Sequence, residues 1–169
     1  MMQVNEGTPP GIGKRVAVIG GGFTGMDCSR SSLRLGAEDV RIYTLETEED
    51  LTVTREEILE TKREGVKLQS LVTAVEVLGS DRVEGIRFMR NRYGTGDGKT
   101  RMPEPIEDSD FEVEADTVIA AIGQKPEKDL AAAGLDENPE FDRETGAGSV
   151  PGLYGAGDFL LGASTVIQA

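Results

Sequence analysis

The sequence has no histidine and a single cysteine, Cys28, among its 169 residues. Without histidine there is no Ser-His-Asp or Cys-His nucleophilic machinery, and the usual donor set for zinc is missing. One cysteine allows neither an intramolecular disulfide nor a C-x-x-C redox pair. Cys28 lies just beyond a run of glycines and reads as a small packing residue rather than a reactive thiol. Positive charge is also scarce: 18 Lys and Arg stand against 31 Asp and Glu, a formal net charge of −13. Nothing basic is clustered enough to follow a nucleic-acid backbone, and the acidic balance disfavours an anionic membrane surface. No apolar run approaches the ~20 residues needed to span a bilayer. Residues 1–13 are polar and rich in Pro and Gly, unlike a signal peptide, so the expected location is the cytoplasm.

What the chain does have is glycine, 22 residues of it, and the most telling group follows an apolar run. In Val16-Ala17-Val18-Ile19-Gly20-Gly21-Gly22-Phe23-Thr24-Gly25-Met26-Asp27, Gly20, Gly22 and Gly25 fit G-x-G-x-x-G. Each has a steric task in a dinucleotide site. Gly20 makes the tight turn, Gly22 lets the backbone approach a pyrophosphate, and Gly25 lets the helix pack on the strand. The helix N-terminus then offers free N–H groups and partial positive charge to the phosphates. The bland alternative is a glycine-rich β-to-α turn that binds nothing.

Taken in order, residues 1–14 read as a linker. A strand is expected over 15–19, apolar throughout as a parallel strand covered on both faces is. A helix follows over 23–35, with Met26, Leu33 and Leu35 as its apolar contacts and Arg30 and Arg34 on a wet face. A second strand over 40–44 leads into an acidic loop. Glu46 lies 21 residues after Gly25, where an acidic residue can accept bonds from ribose hydroxyls. Alternatively, it is one of several solvated carboxylates with Glu48, Glu49 and Asp50.

Thr54 caps a helix reaching about residue 63, with Glu57 at the capping-box position and Gly65 as its stop. A third short strand is expected over 66–68. Runs 71–78 and 83–93, separated by Gly79-Ser80-Asp81-Arg82, read as a hairpin. A loop covers 94–108, and 111–114 alternates apolar and acidic like a half-exposed strand. These three strands form an antiparallel meander inserted at about 71–114. Another buried strand spans 116–122 and ends at Gly123-Gln124, where ligands of such folds sit. A short helix over 129–133, a loop or hairpin over 141–150, a short strand over 153–158 and the start of a helix at 163–169 complete the reading. The expected architecture is α/β: a Rossmann-like parallel sheet with helices on both faces and an inserted antiparallel three-stranded meander.

Three segments in this order resemble one family. Residues 13–22 with Thr24, Met26-Asp27-Cys28 and Leu35-Gly36-Ala37 are similar to the start of the NAD(P)H-binding domain of FAD-dependent pyridine nucleotide oxidoreductases. The nearest resemblance is to the small (beta) subunit of glutamate synthase and its relatives. Residues 115–126, through Gly123 and Gln124, resemble that family's strand-to-glycine segment. Val150-Pro151-Gly152-Leu153-Tyr154-Gly155-Ala156-Gly157-Asp158 resembles its second flavin motif. The resemblance implies dinucleotide contacts from Gly20, Gly21, Gly22, Phe23, Thr24, Gly25, Asp27, Glu46, Gly123 and Gln124. It implies FAD contacts from Gly157, Asp158, Ser164 and Thr165, with no catalytic side chain and no metal ligand.

The implied division is a linker over 1–14, an NAD(P)H-binding domain over 15–126, and a return segment over 127–169 carrying part of the FAD site. The implied activity is hydride transfer from NADH or NADPH to FAD, and onward to iron–sulfur centres or a partner subunit. Subgroup members usually carry paired arginines after the tyrosine ending the second strand. Here Tyr43 is followed by Thr44-Leu45-Glu46, which turns the expectation toward NADH, while Arg41 or Arg55 remains a source of charge for a 2′-phosphate. The family's FAD-binding domain has no counterpart here, so the chain is expected to be a piece of a larger flavoprotein, without turnover on its own. A non-redox regulatory nucleotide-binding module is the alternative function. A methyltransferase is disfavoured by the meander and the glycines after Ile122.

Overall fold

The computed structural model describes residues 7, 10–94, 103–123, 140–157 and 160. They fall into two compact units, Met1–Gly123 and Gln124–Ala169.

In the first unit, β1 (Arg15–Ile19) is an inner strand of a four-stranded parallel sheet. Val16 and Val18 belong to one core and Ala17 to another, so both faces of the strand are covered. That is why its sequence is apolar without alternation. β2 (Asp39–Tyr43) and β8 (Thr117–Ala120) flank it, and β3 (Lys67–Gln69) extends the sheet beyond β2. Ile19 pairs with Tyr43 on one side and Ala120 on the other, so the three central strands end level.

Helices α1 (Phe23–Arg34) and α2 (Arg55–Arg63) cover one face, where Met26 and Ile58 join Val16, Val18, Val40 and Ile42 in one cluster. The buried stripe of α1 is Gly25, Met26, Ser29 and Ser32. Both serines are small enough to lie against the sheet, and their hydroxyls donate to the Met26 and Cys28 carbonyls at 2.8 Å. Arg30 is not on a wet face. Its side chain is only 20% exposed and bridges Glu57 on α2 (2.8 Å) and Glu64 just beyond it (2.6 Å). Thr54 Oγ1 accepts from the Glu57 N–H at 3.2 Å. The Glu57 carboxylate goes to Arg30, so the cap is built and its side-chain half is spent on joining the helices.

The other face differs from the expected second layer of helices. Among the described residues it is covered by the inserted antiparallel sheet: β4 (Val72–Leu78), β5 (Gly85–Tyr93), β6 (Pro103–Pro105) and β7 (Phe111–Glu114). Phe88, fully buried, stacks on Tyr43 of the parallel sheet with centroids 4.2 Å apart and on Phe111 at 5.7 Å. The meander has a broken third strand. β7 pairs with Gly85–Phe88 and β6 with Asn91–Tyr93, so part of the expected 94–108 loop is strand. Between them the chain steps out. The Ser109 hydroxyl accepts the Arg90 N–H in place of a ladder carbonyl, and Asp108 takes a left-handed φ of 55°. Prolines at both ends of β6 leave it short of donors.

In the second unit, antiparallel bridges join Phe141 to Gly148 and Ala147 to Tyr154, which makes a hairpin of 141–150. The strand expected over 153–158 shrinks to a bridge at Tyr154, because glycines at 152, 155 and 157 interrupt any ladder. The helices expected at 129–133 and from 163 lie outside the described residues.

The base of the parallel sheet is fastened by Asp116. Its carboxylate accepts from the Arg15 N–H (2.9 Å) and from the Arg15 guanidinium (2.6 Å). These bonds hold the Asp116 carboxyl at about 2, below its ordinary 3.8. A depressed acid contributes stability above its unfolded value and loses it as pH falls toward the folded one. The melting temperature should therefore drop between pH ~4 and ~2 more steeply for the protein than for Asp116→Asn, as measured by thermal melts across that range.

Candidate functional site

The glycine turn sits at the carboxyl edge of the sheet, between the ends of β2 and β8. Gly20 continues the pairing on both sides. Its N–H donates to the Tyr43 carbonyl (2.9 Å), and the Ala121 N–H donates to the Ile19 carbonyl (2.8 Å). Gly20 has φ of 112°, and a Cβ there would lie 2.3 Å from the Ala121 carbonyl oxygen. Gly25, in the first turn of α1, would place a Cβ 2.0 Å from the Gly20 carbonyl oxygen. These two glycines bring helix, turn and neighbouring strand into near backbone contact. Gly21 is closed off by Leu51 and Thr44, each 2.7 Å from where its Cβ would be.

Gly22 is the exception. A Cβ on it would meet nothing within 4 Å, so the backbone there borders open space. Gly22 is also the N-cap of α1, with no capping side chain and no acidic residue in the first turn. The first helical bond is Met26 N–H to the Gly22 carbonyl at 3.1 Å. Phe23 and Thr24 are exposed in that first turn, and Asp27 is exposed one turn on. Open space over unclaimed N–H donors with a positive dipole end suits a phosphate-bearing ligand.

Glu46 lies three residues past the end of β2, on the same edge of the sheet. Its carbonyl oxygen accepts from the Thr44 hydroxyl (2.8 Å) and the Leu71 N–H (3.4 Å). Among the described residues its carboxylate has no partner, whereas Glu48 is paired with Lys62 and Asp50 is bonded to Thr47 and Tyr93. The two hydroxyls hold the Asp50 carboxyl below its ordinary range. Gly123, with φ of 86°, follows β8 on the same edge, behind Ile122, which is 77% exposed. Gly157 (φ 63°) belongs to the second unit. Gln124, Asp158, Ser164 and Thr165 lie outside the described residues. Cys28 is half-buried, and burial pushes its thiol up, which leaves it a poor nucleophile.

Sequence reading missed the Ala121 carbonyl that walls Gly20, and Leu51 and Thr44 that wall Gly21. It also missed Tyr93, whose hydroxyl reaches the acidic loop from 43 positions away. Only a pairing of β5 with the loop region could have revealed it, and no local pattern carries that.

A parallel sheet with a glycine turn at its carboxyl edge and an inserted antiparallel layer defines a Rossmann-like α/β domain. The chain belongs to the pyridine nucleotide-disulphide oxidoreductase family, whose model matches residues 2–169. It is 36% identical over 165 residues to a putative glutamate synthase (NADPH) small chain of Cereibacter sphaeroides, covering 93% of this chain and 40% of that protein. It is 40% identical over 124 residues to the NADPH-Fe(3+) oxidoreductase subunit beta of Geobacter sulfurreducens, covering 72% of this chain and 18% of that one. Thioredoxin reductase of T. acidophilum shares its fold, with a TM-score of 0.65 at 22% identity over 88% of this chain and 45% of that chain. The chain thus spans less than half the length of each. The family is one of enzymes that use FAD and NAD(P)H. No described helix is long and apolar enough to cross a membrane.

Proposed function

We propose that this chain is the dinucleotide-binding half of a cytoplasmic FAD-dependent oxidoreductase, and that its preferred dinucleotide is NADH. The observation that carries the proposal is the open cradle at Gly22, framed by glycines whose own Cβ positions are filled by protein. A diphosphate placed over Gly22 would face the first-turn N–H groups of Phe23, Thr24 and Gly25. Gly20 and Gly21 hold the turn beneath it. Leu45 and Ile122, both exposed apolar residues, flank it from the ends of β2 and β8 and offer apolar surface to a planar base. We assign Asp27 on α1, Gly123 after β8 and Gln124 to the dinucleotide as well.

Glu46 selects the sugar in this reading. A carboxylate accepts bonds from both free ribose hydroxyls and repels a 2′-phosphate. The domain runs over 15–126, after a linker of 14 residues. Residues 127–169, through Gly157, Asp158, Ser164 and Thr165, serve the flavin. FAD, when bound, supplies the acceptor that takes a hydride from the nicotinamide. The protein's part is to fix the dinucleotide and exclude water, which needs neither acid, base nor nucleophile. Onward transfer to a partner subunit is supported by the names of the two relatives, a small chain and a beta subunit, and an iron–sulfur centre is the acceptor assigned to it.

A second reading, NADPH, is favoured by those same names, both of which include NADPH. It would draw on Arg55 at the start of α2, or on Arg41, which lies 3.9 Å from Asp39. Anaerobic addition of NADH to the FAD-loaded flavoprotein that carries this chain tests the main reading. Loss of the oxidised-flavin absorbance is expected, at lower concentration with NADH than with NADPH. Dinucleotide binding without flavin reduction would instead indicate a non-redox regulatory module.

A further inference from the structure

We propose that Tyr93, the last residue of β5 in the inserted sheet, is the positioning residue for the sugar-selecting loop 44–50. Its hydroxyl fixes that loop so that Glu46 meets the ribose. The inference rests on the NADH reading above and deepens it.

The loop is an acidic run, Glu46-Thr47-Glu48-Glu49-Asp50, whose charges repel one another and favour no single conformation. The inserted sheet pins it at three points. The Val72 N–H donates to the Thr44 carbonyl (2.9 Å), and the Leu71 N–H donates to the Glu46 carbonyl (3.4 Å). The Thr47 N–H donates to the Tyr93 hydroxyl (3.1 Å). Tyr93 in turn donates to the Asp50 carboxylate, which also accepts from the Thr47 hydroxyl. A phenol has one proton to give, and this one accepts and donates at once, closing a ring of hydrogen bonds around residues 47–50. Those two hydroxyls lower the Asp50 carboxyl from its ordinary value, which favours the ionised form and makes its bonds in the ring charge-assisted.

Leu71 gives a second sign that the geometry is imposed. It holds a left-handed φ of 58° beside Glu46, a conformation a leucine keeps only where its surroundings dictate it. The position of Glu46 is thus set by bonds from Thr44, Leu71 and the Tyr93 ring, while its own carboxylate has no partner among the described residues. The insertion is thereby more than a cover for the sheet, because its far end sets the loop that reads the sugar.

The test is calorimetric titration of the protein with NADH and with NADPH. Tyr93→Phe keeps the aromatic ring, changes no charge and removes both hydrogen bonds. It should weaken NADH by ~3–10-fold and leave NADPH within about twofold, so that the selectivity ratio falls. Thr47→Val, which opens the ring from the other side, should move the ratio in the same direction. In a Glu46→Gln background, Tyr93→Phe should no longer change the ratio, because the residue it positions is gone. Equal weakening of both dinucleotides, or the same ratio change in both backgrounds, would show that Tyr93 only supports the fold. If Glu46→Gln shifts the ratio and Tyr93→Phe does not, this inference alone fails. If Glu46→Gln shifts nothing, the NADH reading falls and this inference with it.

Discussion

Gly22→Ala should leave the protein folded and cost it the dinucleotide. A methyl group at residue 22 meets nothing within 4 Å, and its φ of −77° suits alanine as well as glycine. The lost N-cap preference for glycine is roughly offset by the stiffer unfolded chain, so stability should change by about 1 kcal/mol or less. The same methyl would stand in the space assigned to the diphosphate, and NADH affinity should fall at least ~10-fold. Gly25→Ala should behave in the opposite order. Its Cβ would stand 2.0 Å from the Gly20 carbonyl oxygen, a backbone atom that cannot swing aside. Relief requires α1 to lift off β1 and opens the cluster around Met26, a cost of ~3 kcal/mol or more. Thermal melts and titrations on the two variants separate a glycine kept for a ligand from one kept for packing. Equal loss of stability in both would mean that Gly22 serves only the turn.

Glu46→Arg should invert the choice of dinucleotide. The wild-type carboxylate would accept bonds from two ribose hydroxyls, and a charge-assisted bond of this kind is worth ~1.5 kcal/mol or more. Removing it weakens NADH about tenfold, and placing a guanidinium against a 2′-phosphate strengthens NADPH by a similar factor. The ratio of the two affinities should therefore move by ~100-fold. The loop can hold an arginine there, since the residue is fixed through its carbonyl oxygen rather than its side chain. An unchanged ratio would mean that Glu46 is a solvated carboxylate like Glu49.

The parts of this molecule legible in its sequence are those whose cause is local. An apolar strand followed by a G-x-G-x-x-G turn specifies β1 and the start of α1, because each glycine answers to a neighbour a few residues away. Thr54 capping Glu57 is local in the same way. What was hidden depends on partners far along the chain. The pattern of α1 places Arg30 on an outer face, and only the packing of α2 against it turns that face into a junction with Glu57 and Glu64. Alternation in 111–114 announces a strand, but the break between β6 and β7 follows from a serine hydroxyl standing in for a carbonyl of the ladder. An apolar β1 says that both faces are covered without saying by what, so an antiparallel sheet could take the place expected for helices. The acidic loop reads as solvated, and Tyr93 fixes it from another sheet altogether.

Titration of the protein with NADH and NADPH by calorimetry under identical conditions decides whether Gly22 forms a dinucleotide cradle and whether Glu46 selects its sugar. Both should bind at the same stoichiometry, with NADH tighter by ~10-fold or more and Gly22→Ala binding neither well. Tighter NADPH would contradict the role given to Glu46, and binding of neither would contradict the cradle itself.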